Sequence, residues 1–571
     1  MLRRRLTLAA LPLSAAALVL AGCTATTATA TPTAETVVAT AAPTDSDSDL
    51  SATAVLAANA DVTVVNDDEW SAADAVDVAL EGTTATSSSS AVSVEGSTVT
   101  ITAAGVFRLS GTLDGEVVVA APDDAQVVLV LDGADISSED GPAITVTGAD
   151  DVAISLADGS SNSVSDASSY ADDADANAAV YSDADLTVTG TGSLTVSGNG
   201  NDGITSTDDL VILSGTIAVD AVDDGLRGKD SLVVEGGTLT IDAGGDALKS
   251  DQDEDATKGF IHLAGAELTV TSGDDGLAAA TDVVVTGGTV TMTAGSSATT
   301  ADDSPKGITA GAVVAIDGGT LTIDADDDAV HSDGSVGIGG GTLLLSSGDD
   351  GVHAEARLEV RDGTVTVAES VEGLEGTDVA ISGGTVDVTS SDDGINGAGA
   401  TTTTTGQQGG GEADTGETIV VSGGSVRVVS GGDCLDSNGS ITITGGTTVV
   451  SGPSSSGGEG AIDANGTVTI DGGELLVAGS VLVTPEGSQA WVAATASGSA
   501  GQTVEIADAQ GTVIASFVAG RSFSAVFYSG PSLASGGSYT VLVDGGTAAT
   551  ATEGTGITSQ TGGGPGGGRR P

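Results

Sequence analysis

Short runs of alternating apolar and polar residues recur along most of this chain, and they predict β-strands. The stretch LVVEGGTLTIDAGGDALKS, which begins at Leu232, shows the unit. It predicts a strand over 232–234, a bend at 236–237, a second strand over 238–241 and a tight corner at 244–246. Glycine at both bends supplies positive φ angles without a steric penalty. The apolar residues of such strands should point inward, and the Thr and Asp residues should point outward.

This unit repeats with a period of about 22 residues. An acidic corner residue marks the period: Asp202, Asp224 and Asp246 are spaced by 22, as are Asp328, Asp350 and Glu372, and Asp393 follows after 21. A fixed period in the twenties without a helical pattern is typical of a solenoid. Parallel strands that stack at ~4.8 Å per repeat predict an all-β fold, a parallel β-helix. The longer spacing between Asp246 and Asp275 indicates an insert at about 251–258.

Changes in composition and in the repeat divide the chain into six segments. The Thr- and Ala-rich start has no sustained periodicity, which is typical of a linker. The period is lost after about Gly479, where most of the late aromatic residues lie. The segments are a signal peptide (1–22), a flexible stalk (23–60), an N-terminal β cap with the first turns (61–142), the β-helix (143–478), a C-terminal β cap (479–548) and a disordered tail (549–571). Residues 400–416 form a low-complexity loop within the helix.

The composition restricts the core and the partners. Only 2% of the 571 residues are aromatic, so we expect a narrow core of stacked Val, Ile, Leu and Ala rather than a large globular one. The chain has 81 acidic residues against 15 Lys and Arg, and its net charge is -66. Nucleic acid and anionic membrane surfaces are therefore excluded as electrostatic partners, and cations are the natural counterpart.

The two cysteines have different meanings. A basic start with Arg3, Arg4 and Arg5 precedes a short apolar stretch, as in a signal peptide. The stretch ends in Leu-Ala-Gly-Cys at Cys23, which resembles the bacterial lipoprotein cleavage box. This resemblance implies that Cys23 carries a lipid and that this anchor, on the extracellular face of the membrane, is the only membrane contact. The alternative is an ordinary secretory signal. Cys434 is then the one cysteine of the folded part, and we expect it to pack as a small corner residue without a disulfide.

Stacked acidic corners predict a cation site. Carboxylates one repeat apart repel each other by ~1 kcal/mol in water and by ~3 kcal/mol or more at an effective dielectric constant of 20. Ca²⁺, which takes six to eight oxygen ligands, would relieve this repulsion most completely. The alternative is that Asp and Gly simply favour turns and keep the protein soluble. The candidate metal ligands are Asp223, Asp224, Asp246, Asp274, Asp275, Asp349, Asp350, Asp392 and Asp393.

The few basic residues cluster near the insert, at Arg227, Lys229, Lys249 and Lys258. Ion pairs within the chain are the simplest interpretation, and the alternative is that they and Ca²⁺ together hold an anionic ligand such as a uronate. The three histidines (His262, His331 and His353) look isolated, and their spacing does not predict a metal site. Carboxylates are too abundant to nominate a catalytic pair.

The DDG[LI] corners, the GGT strand pairs and the string GDALKSDQDEDATKGFIHLAGAELTVTSGDDGL resemble the bacterial family of carbohydrate-binding, pectate-lyase-like β-helix proteins. The resemblance extends over about 100–545. It implies a right-handed parallel β-helix at the cell surface that binds plant-type polysaccharides and acidic sugars, with calcium on the helix. It also implies Lys249, Asp251 and Lys258 as site residues. Two rungs depart from the pattern: Lys306 follows Pro305 where an acid is expected, and Cys434 replaces a glycine.

The sequence thus predicts a lipid-anchored, monomeric protein that binds polysaccharide, either polyuronate or cellulose, with Ca²⁺ and a small basic cluster. Scarce aromatic residues argue against a flat stacking platform for sugars. Two alternatives stay open. One is a Ca²⁺-dependent polysaccharide lyase in which Lys249 or Arg227 acts as base. The other is an adhesive or structural surface protein without a defined sugar ligand.

The lipoprotein interpretation predicts a change of location on mutation. The wild-type chain should partition into detergent after globomycin-sensitive processing, because the lipid on Cys23 anchors it. Cys23→Ser should appear in the medium when membrane and medium fractions are compared by immunoblot. A serine variant that stays in the membrane fraction contradicts this interpretation.

Overall fold

The computed structural model describes residues 48–171, 174–295, 304–399, 414–455, 460–480 and 483–556. The predicted signal peptide, Cys23, most of the stalk, residues 400–413 of the low-complexity loop and the end of the tail lie outside the described residues. The described chain is almost entirely β-structure. Its two helices are a short α-helix, Ala52–Ala58, and a 3₁₀ turn, Ala72–Asp74. None of the helices in the described part is long and apolar enough to cross a membrane.

Successive repeats pair in parallel, strand on strand. Ile217 pairs with Leu239, which pairs with Leu268 of the next repeat. The spacing is 22 residues between Asp202 and Asp224 and 29 across the insert, from Asp246 to Asp275. The all-β class and the parallel, solenoid-like stacking predicted from the repeat are therefore confirmed.

The strands fall into three stacks, which we name the corner stack, the covered stack and the alternating stack. The corner stack contains Thr98–Ile101, Glu116–Ala120, Ile144–Gly148, Ala178–Ser182, Asp202–Ser206, Leu226–Gly228, Leu248–Ser250, Leu277–Ala279, Ile308–Ala310, Val330–Ser332, Ile395–Gly397, Leu435–Ser437 and the first halves of Val352–Val360 and Leu374–Ile381. The covered stack contains the second halves of those two strands and Val76–Gly82, Gly105–Asp114, Gln126–Ser137, Asp151–Leu156, Asp185–Gly190, Asp209–Ile212, Ser231–Val234, Phe260–Leu263, Asp282–Val285, Val313–Ile316, Ser335–Ile338, Thr418–Val421, Ser440–Ile443 and Val468–Ile470.

The alternating stack contains Ser161–Ser165, Ser193–Gly198, Thr216–Ala221, Thr238–Ala243, Glu267–Ser272, Thr289–Ala294, Thr320–Ala325, Thr342–Ser347, Thr364–Glu369, Thr385–Thr389, Ser425–Val429, Thr447–Ser451 and Glu474–Gly479. Two strands near the start, Ala85–Ser87 and Val92–Glu95, pair antiparallel with their neighbours. Buried and exposed residues alternate in this stack, as in Thr238–Ala243, where Leu239 and Ile241 are buried and Thr238 and Thr240 are exposed. The inward and outward assignment made from the sequence is confirmed here.

The middle of the covered stack, from Asp151–Leu156 to Ser335–Ile338, is buried on both faces, because a preceding segment packs on its outer side. We call residues 48–65 the strap. Val55 of the strap packs on Val284 and Ala315, and Val65 packs on Val128. The Val65 N–H also donates to Thr187 Oγ1 at 3.1 Å. The strap therefore removes an apolar strip of the sheet from water.

The expectation of a flexible stalk is wrong for residues 48–60. They include the α-helix Ala52–Ala58, and Leu50 and Ala52 are buried. The physical reason lies in the sheet, where the outward residues of the covered stack are apolar and need a cover. Ordering the segment is favourable because its own small apolar residues meet that strip.

A glycine permits the closest approach of the strap. A Cβ placed on Gly337 would lie 2.6 Å from both Cβ and O of Leu50. Gly337 pairs with Ala315 on one side and with Glu359 on the other. The outward column thus has Ala315 before Gly337 and the acidic Glu359 after it, and Leu50 near the described start of the strap packs at this point.

The C-terminal part changes from parallel to antiparallel pairing. Glu474–Gly479 pairs with Phe523–Ser529, which pairs with Trp491–Gly498. A separate antiparallel sheet has the order Val513–Val518, Thr503–Ala507, Ser538–Val543, Gly546–Thr552. A second core lies here and contains most of the late aromatic residues, including Phe517, Phe523, Tyr528 and Tyr539. The loss of the repeat after about 479 agrees with this change, and a capping role stays a prediction.

Candidate functional site

A run of acidic side chains lines the entry to the corner stack, and we call it the acid ladder. Its members are Asp202, Asp224, Asp246, Asp275, Asp328, Asp350, Glu372, Asp393 and Asp433, with Lys306 at the equivalent position of one rung. Backbone N–H groups of the next rung donate hydrogen bonds to the carboxylates of Asp202, Asp224, Asp246, Asp275, Asp328, Asp393 and Asp433. Asp224 Oδ1 accepts from the Asp246 N–H at 3.0 Å, and Asp246 Oδ1 accepts from the Asp275 N–H at 3.0 Å. The corner acid therefore has a structural role, since it satisfies a backbone donor that lies outside the strand ladder.

A second row of side chains runs beside the ladder, and we call it the polar column. Each member lies three residues after a ladder position, within a strand of the corner stack. Adjacent members are paired in register, as Arg227 is with Lys249. The members are Thr205, Arg227, Lys249, Ala278, Thr309, His331, His353, Glu375, Asn396 and Asp436.

The cations of the polar column neutralise part of the ladder. Lys249 Nζ lies 3.1 Å from Asp224 Oδ2 and 2.8 Å from Asp246 Oδ2. Arg227 Nη2 lies 2.5 Å from Asp251 Oδ2, and Arg227 Nη1 lies 3.9 Å from Asp202 Oδ2. Burial alone would lower the pKa of Lys249, but these carboxylates outweigh it and raise that pKa above its usual value. Lys249 is therefore a charged ammonium shared by two buried carboxylates.

The basic side chains of the polar column do not neutralise all the carboxylates of the ladder. Burial raises the pKa of Asp224 to about 7, because the attraction of Lys249 is offset by Asp246 and Asp202. Burial also raises the pKa of Asp275 to about 7, with Asp246 adding to the effect. Asp275 has Ala278 at the column position where Asp246 has Lys249. The rung of Asp275 therefore supplies no basic column residue to its carboxylates. A cation bound near Asp275 would provide the missing positive charge.

The predicted basic cluster is divided by the fold. Arg227, Lys249 and Asp251 lie together, as described above. Lys258 instead pairs with Asp230, and Lys229 is exposed. The ion-pair interpretation describes the contacts of Arg227, Lys249 and Lys258, while a role for any of them in ligand binding stays a prediction.

Some of the predicted metal ligands converge. Asp246, Asp274 and Asp275 each place a carboxylate oxygen within 4.8 Å of the other two. Such a set of hard oxygen donors fits Ca²⁺. Two further all-oxygen groups contain Asp349 with Asp327 and Asp328, and Asp433 with Asp436 and Asp463, and two groups include histidine: Asp350 with His353 and Glu375, and Asp328 with His331 and His353. Within the described ranges, Asp223, Asp224, Asp392 and Asp393 belong to no such group.

The view of His331 and His353 as isolated residues is wrong. They pair in register on adjacent strands, and their ring centroids lie 5.0 Å apart. His331 Nδ1 is 2.8 Å from Asp328 Oδ2, and His353 Nδ1 is 3.1 Å from Asp350 Oδ2. Burial would lower the pKa of His331, but its hydrogen bonds to carboxylates raise the pKa to about 9. The signal was present in the sequence, since each histidine lies three residues after a marker of the repeat.

Cys434 is buried and free, and it follows the ladder residue Asp433. Burial raises the pKa of its thiol to about 11, and Ser430 Oγ lies 3.1 Å from its Sγ. The equivalent position of other rungs holds glycine or alanine, such as Gly394 and Ala329. The expectation of a packed small corner residue is confirmed.

Part of the chain that carries this surface is similar to known proteins. Residues 95–351 match the model of the family described as carbohydrate-binding domain-containing protein. A solved structure of the polysaccharide lyase-like protein from C. thermocellum, a gadolinium derivative, is 29% identical, with 50% of this chain and 95% of that chain covered and a TM-score of 0.36. The curated proteins give no match. The matched segment includes the ladder from Asp202 to Asp350 and is similar to carbohydrate-binding domains.

The ladder geometry predicts unequal effects within one acidic pair. Asp224→Ala removes the acceptor of the Asp246 N–H and one partner of Lys249, so it should lower the free energy of unfolding by about 2–4 kcal/mol. Asp223→Ala, at the exposed neighbouring residue, should change it by about 0.5 kcal/mol or less. Denaturant unfolding followed by circular dichroism measures both. Equal effects of the two substitutions would contradict the structural role of the ladder.

Proposed function

We propose that this protein binds acidic polysaccharide at the cell surface, with Ca²⁺ held on the acid ladder. The observation that carries the proposal is a coincidence within residues 95–351. The family match to carbohydrate-binding domains covers the same segment in which Asp246, Asp274 and Asp275 converge. A net charge of -66 repels a polyuronate at long range, so binding requires a local positive site.

Calcium would supply that site through Asp246, Asp274 and Asp275. When bound, Ca²⁺ offers coordination positions to the carboxylate and hydroxyl groups of a sugar. The backbone fixes one ligand in advance, because Asp275 Oδ1 accepts from the Lys306 N–H at 2.7 Å. Burial and Asp246 raise the pKa of Asp275, and a bound cation would counteract this by favouring the ionised carboxylate.

The polar column offers further contacts for a sugar chain. Between Arg227 and Thr309 the column presents half-buried guanidinium, ammonium and hydroxyl groups on rungs ~4.8 Å apart, with Ala278 between Lys249 and Thr309. Arg227 and Thr309 lie on this row on either side of Lys249 and Ala278. The exposed Lys229 follows Arg227 by two residues and adds a cation near the same edge. Contacts of this kind suit a polyuronate better than an uncharged polymer such as cellulose.

The lyase alternative requires Lys249 or Arg227 to act as a general base, and the surroundings of these residues do not favour that role. A general base must be neutral before it takes a proton, so its pKa should lie near the working pH. Neighbouring carboxylates raise the pKa values of both Lys249 and Arg227 above their usual values. These two groups therefore serve better as fixed positive charges than as bases.

The wider architecture of the proposal includes features inferred from the sequence alone. They are a right-handed β-helix, a β cap at each end, a monomer, and a lipid on Cys23 that holds the protein on the extracellular face of the membrane. Calcium stabilises the native state in this account, because a ligand bound only by the folded protein adds to its stability.

The test is Ca²⁺-dependent binding to short oligogalacturonates, measured by isothermal titration calorimetry in calcium and in chelator. Asp275→Asn should weaken binding at least tenfold, or about 1.4 kcal/mol. Its amide oxygen can still accept from the Lys306 N–H, so the ladder bond is kept. The matched control is Asp220→Asn, which removes one exposed carboxylate from the alternating stack. It should bind as the wild type does.

Other results would reject the proposal or favour an alternative. Binding that persists in chelator and in Asp275→Asn contradicts the calcium site. Release of unsaturated uronide, seen as ultraviolet absorbance, would favour the lyase. An absence of binding to both oligogalacturonate and cellulose would favour an adhesive or structural protein.

A further inference from the structure

The stacked histidines of the polar column have a geometry that simple ion pairs do not require. Both rings turn Nδ1 toward the same atom, because Asp328 Oδ2 lies 2.8 Å from His331 Nδ1 and 3.9 Å from His353 Nδ1. In a tetrahedral Zn²⁺ site with bonds of 2.0–2.1 Å, neighbouring ligand atoms lie about 3.3 Å apart. The two observed separations lie on either side of that value. Shifts of about half an ångström would bring these two separations to that value, and the three donor atoms all lie within 4.8 Å of one another.

The other ring nitrogen of each histidine, Nε2, is directed toward a second carboxylate. His331 Nε2 lies 3.2 Å from Asp333 Oδ1, and His353 Nε2 lies 4.0 Å from Glu355 Oε1. Metal-binding histidines commonly donate their other ring nitrogen to a carboxylate, which fixes the tautomer and the ring orientation. The hydrogen bond to Asp333 leaves Nδ1 as the coordinating nitrogen of His331, and His353 directs its own Nδ1 at the ladder carboxylates.

The carboxylate between the rings is also held in place. Asp328 Oδ1 accepts from the Asp350 N–H at 3.0 Å, so Oδ2 remains directed at the imidazoles. The Asp328 side chain is 5% exposed and that of His331 is 13% exposed, which limits competition from water. Asp350 Oδ2 lies 3.1 Å from His353 Nδ1 and offers a further oxygen.

We propose that His331, His353 and Asp328 bind one transition-metal dication, such as Zn²⁺, through two imidazole nitrogens and one carboxylate oxygen. Asp350 supplies an additional oxygen or leaves that position to water. Imidazole donors suit Zn²⁺, Ni²⁺ and Cu²⁺, whereas Ca²⁺ prefers oxygen. The site is therefore chemically distinct from the all-oxygen group at Asp246, Asp274 and Asp275, and it does not depend on the proposed sugar binding.

The competing interpretation is that both rings are protonated and act as plain counter-ions. The structure offers a precedent, since Lys249 neutralises Asp246 at the same three-residue spacing. Two imidazolium rings 5.0 Å apart would repel each other, however, and Lys306 Nζ already lies 3.7 Å from Asp328 Oδ2. A bound dication replaces two mutually repelling ring charges with one shared centre.

The experiment titrates the full chain with ZnCl₂ in a buffer that contains saturating Ca²⁺, so that all-oxygen sites are occupied. Isothermal titration calorimetry should show one high-affinity equivalent of Zn²⁺ in the wild type. The double variant His331→Gln with His353→Gln should lose that equivalent, with an affinity at least a hundredfold lower. The matched control is His262→Gln, which removes the remaining histidine of the chain, a covered-stack residue whose Nε2 contacts Thr286 Oγ1 at 3.0 Å. It should keep the equivalent.

A second measurement uses the wild type alone, so it does not require the double variant to fold. Co²⁺ added in place of Zn²⁺ should give visible d–d absorption of a low-symmetry, nitrogen-ligated ion, and Zn²⁺ should abolish it. A wild type without this band, or a folded double variant that retains the Zn²⁺ equivalent, would overturn the site. Either result would leave the calcium-dependent sugar proposal intact.

Discussion

A stack of carboxylates at the corners of the repeats, interrupted by Lys306, is the constraint on which the rest of this structure depends. Each rung needs an acceptor for a backbone N–H at its corner, and an aspartate such as Asp224 or Asp246 supplies one. Parallel stacking then places like charges ~4.8 Å apart. The backbone hydrogen bond therefore brings an electrostatic cost that some positive group must offset.

The residues beside the ladder follow from that cost. Where a cationic side chain is available in the polar column, as with Lys249, it is shared between two rungs. Where the column has Ala278, Asp275 has no basic column residue on its own rung, and it converges with Asp274 and with Asp246, which Lys249 contacts, in the candidate position for an external cation. At His331 and His353 the same row offers nitrogen donors instead. One repeated geometry thus accounts for ion pairs, a calcium candidate and a transition-metal candidate.

Much of this architecture was predictable because stacking converts sequence spacing directly into contact. The 22-residue period, the inward Leu239 and Ile241, and the insert between Asp246 and Asp275 all follow from the pattern. The packing of the strap does not follow from the pattern, because the surface that it covers is formed by outward residues of many rungs that are far apart in the sequence. The pairing of His331 with His353 was within reach, since they are one period apart. The sequence spacing does not define which carboxylates each basic side chain contacts, because those contacts depend on side-chain conformation.

Unfolding measured from pH 5 to pH 8 in chelator tests the central claim most directly. The pKa values of Asp224 and Asp275 are raised from 3.8 to about 7 on folding. Their contribution to stability is therefore fully present below pH 3.8 and is lost as the pH rises through about 7, and His331, with its pKa raised to about 9, acts in the same direction. The wild type and Asp223→Asn should lose stability as the pH rises, whereas Asp224→Asn, which cannot ionise, should lose less. A wild-type stability that is constant or rises between pH 5 and pH 8 would contradict the account.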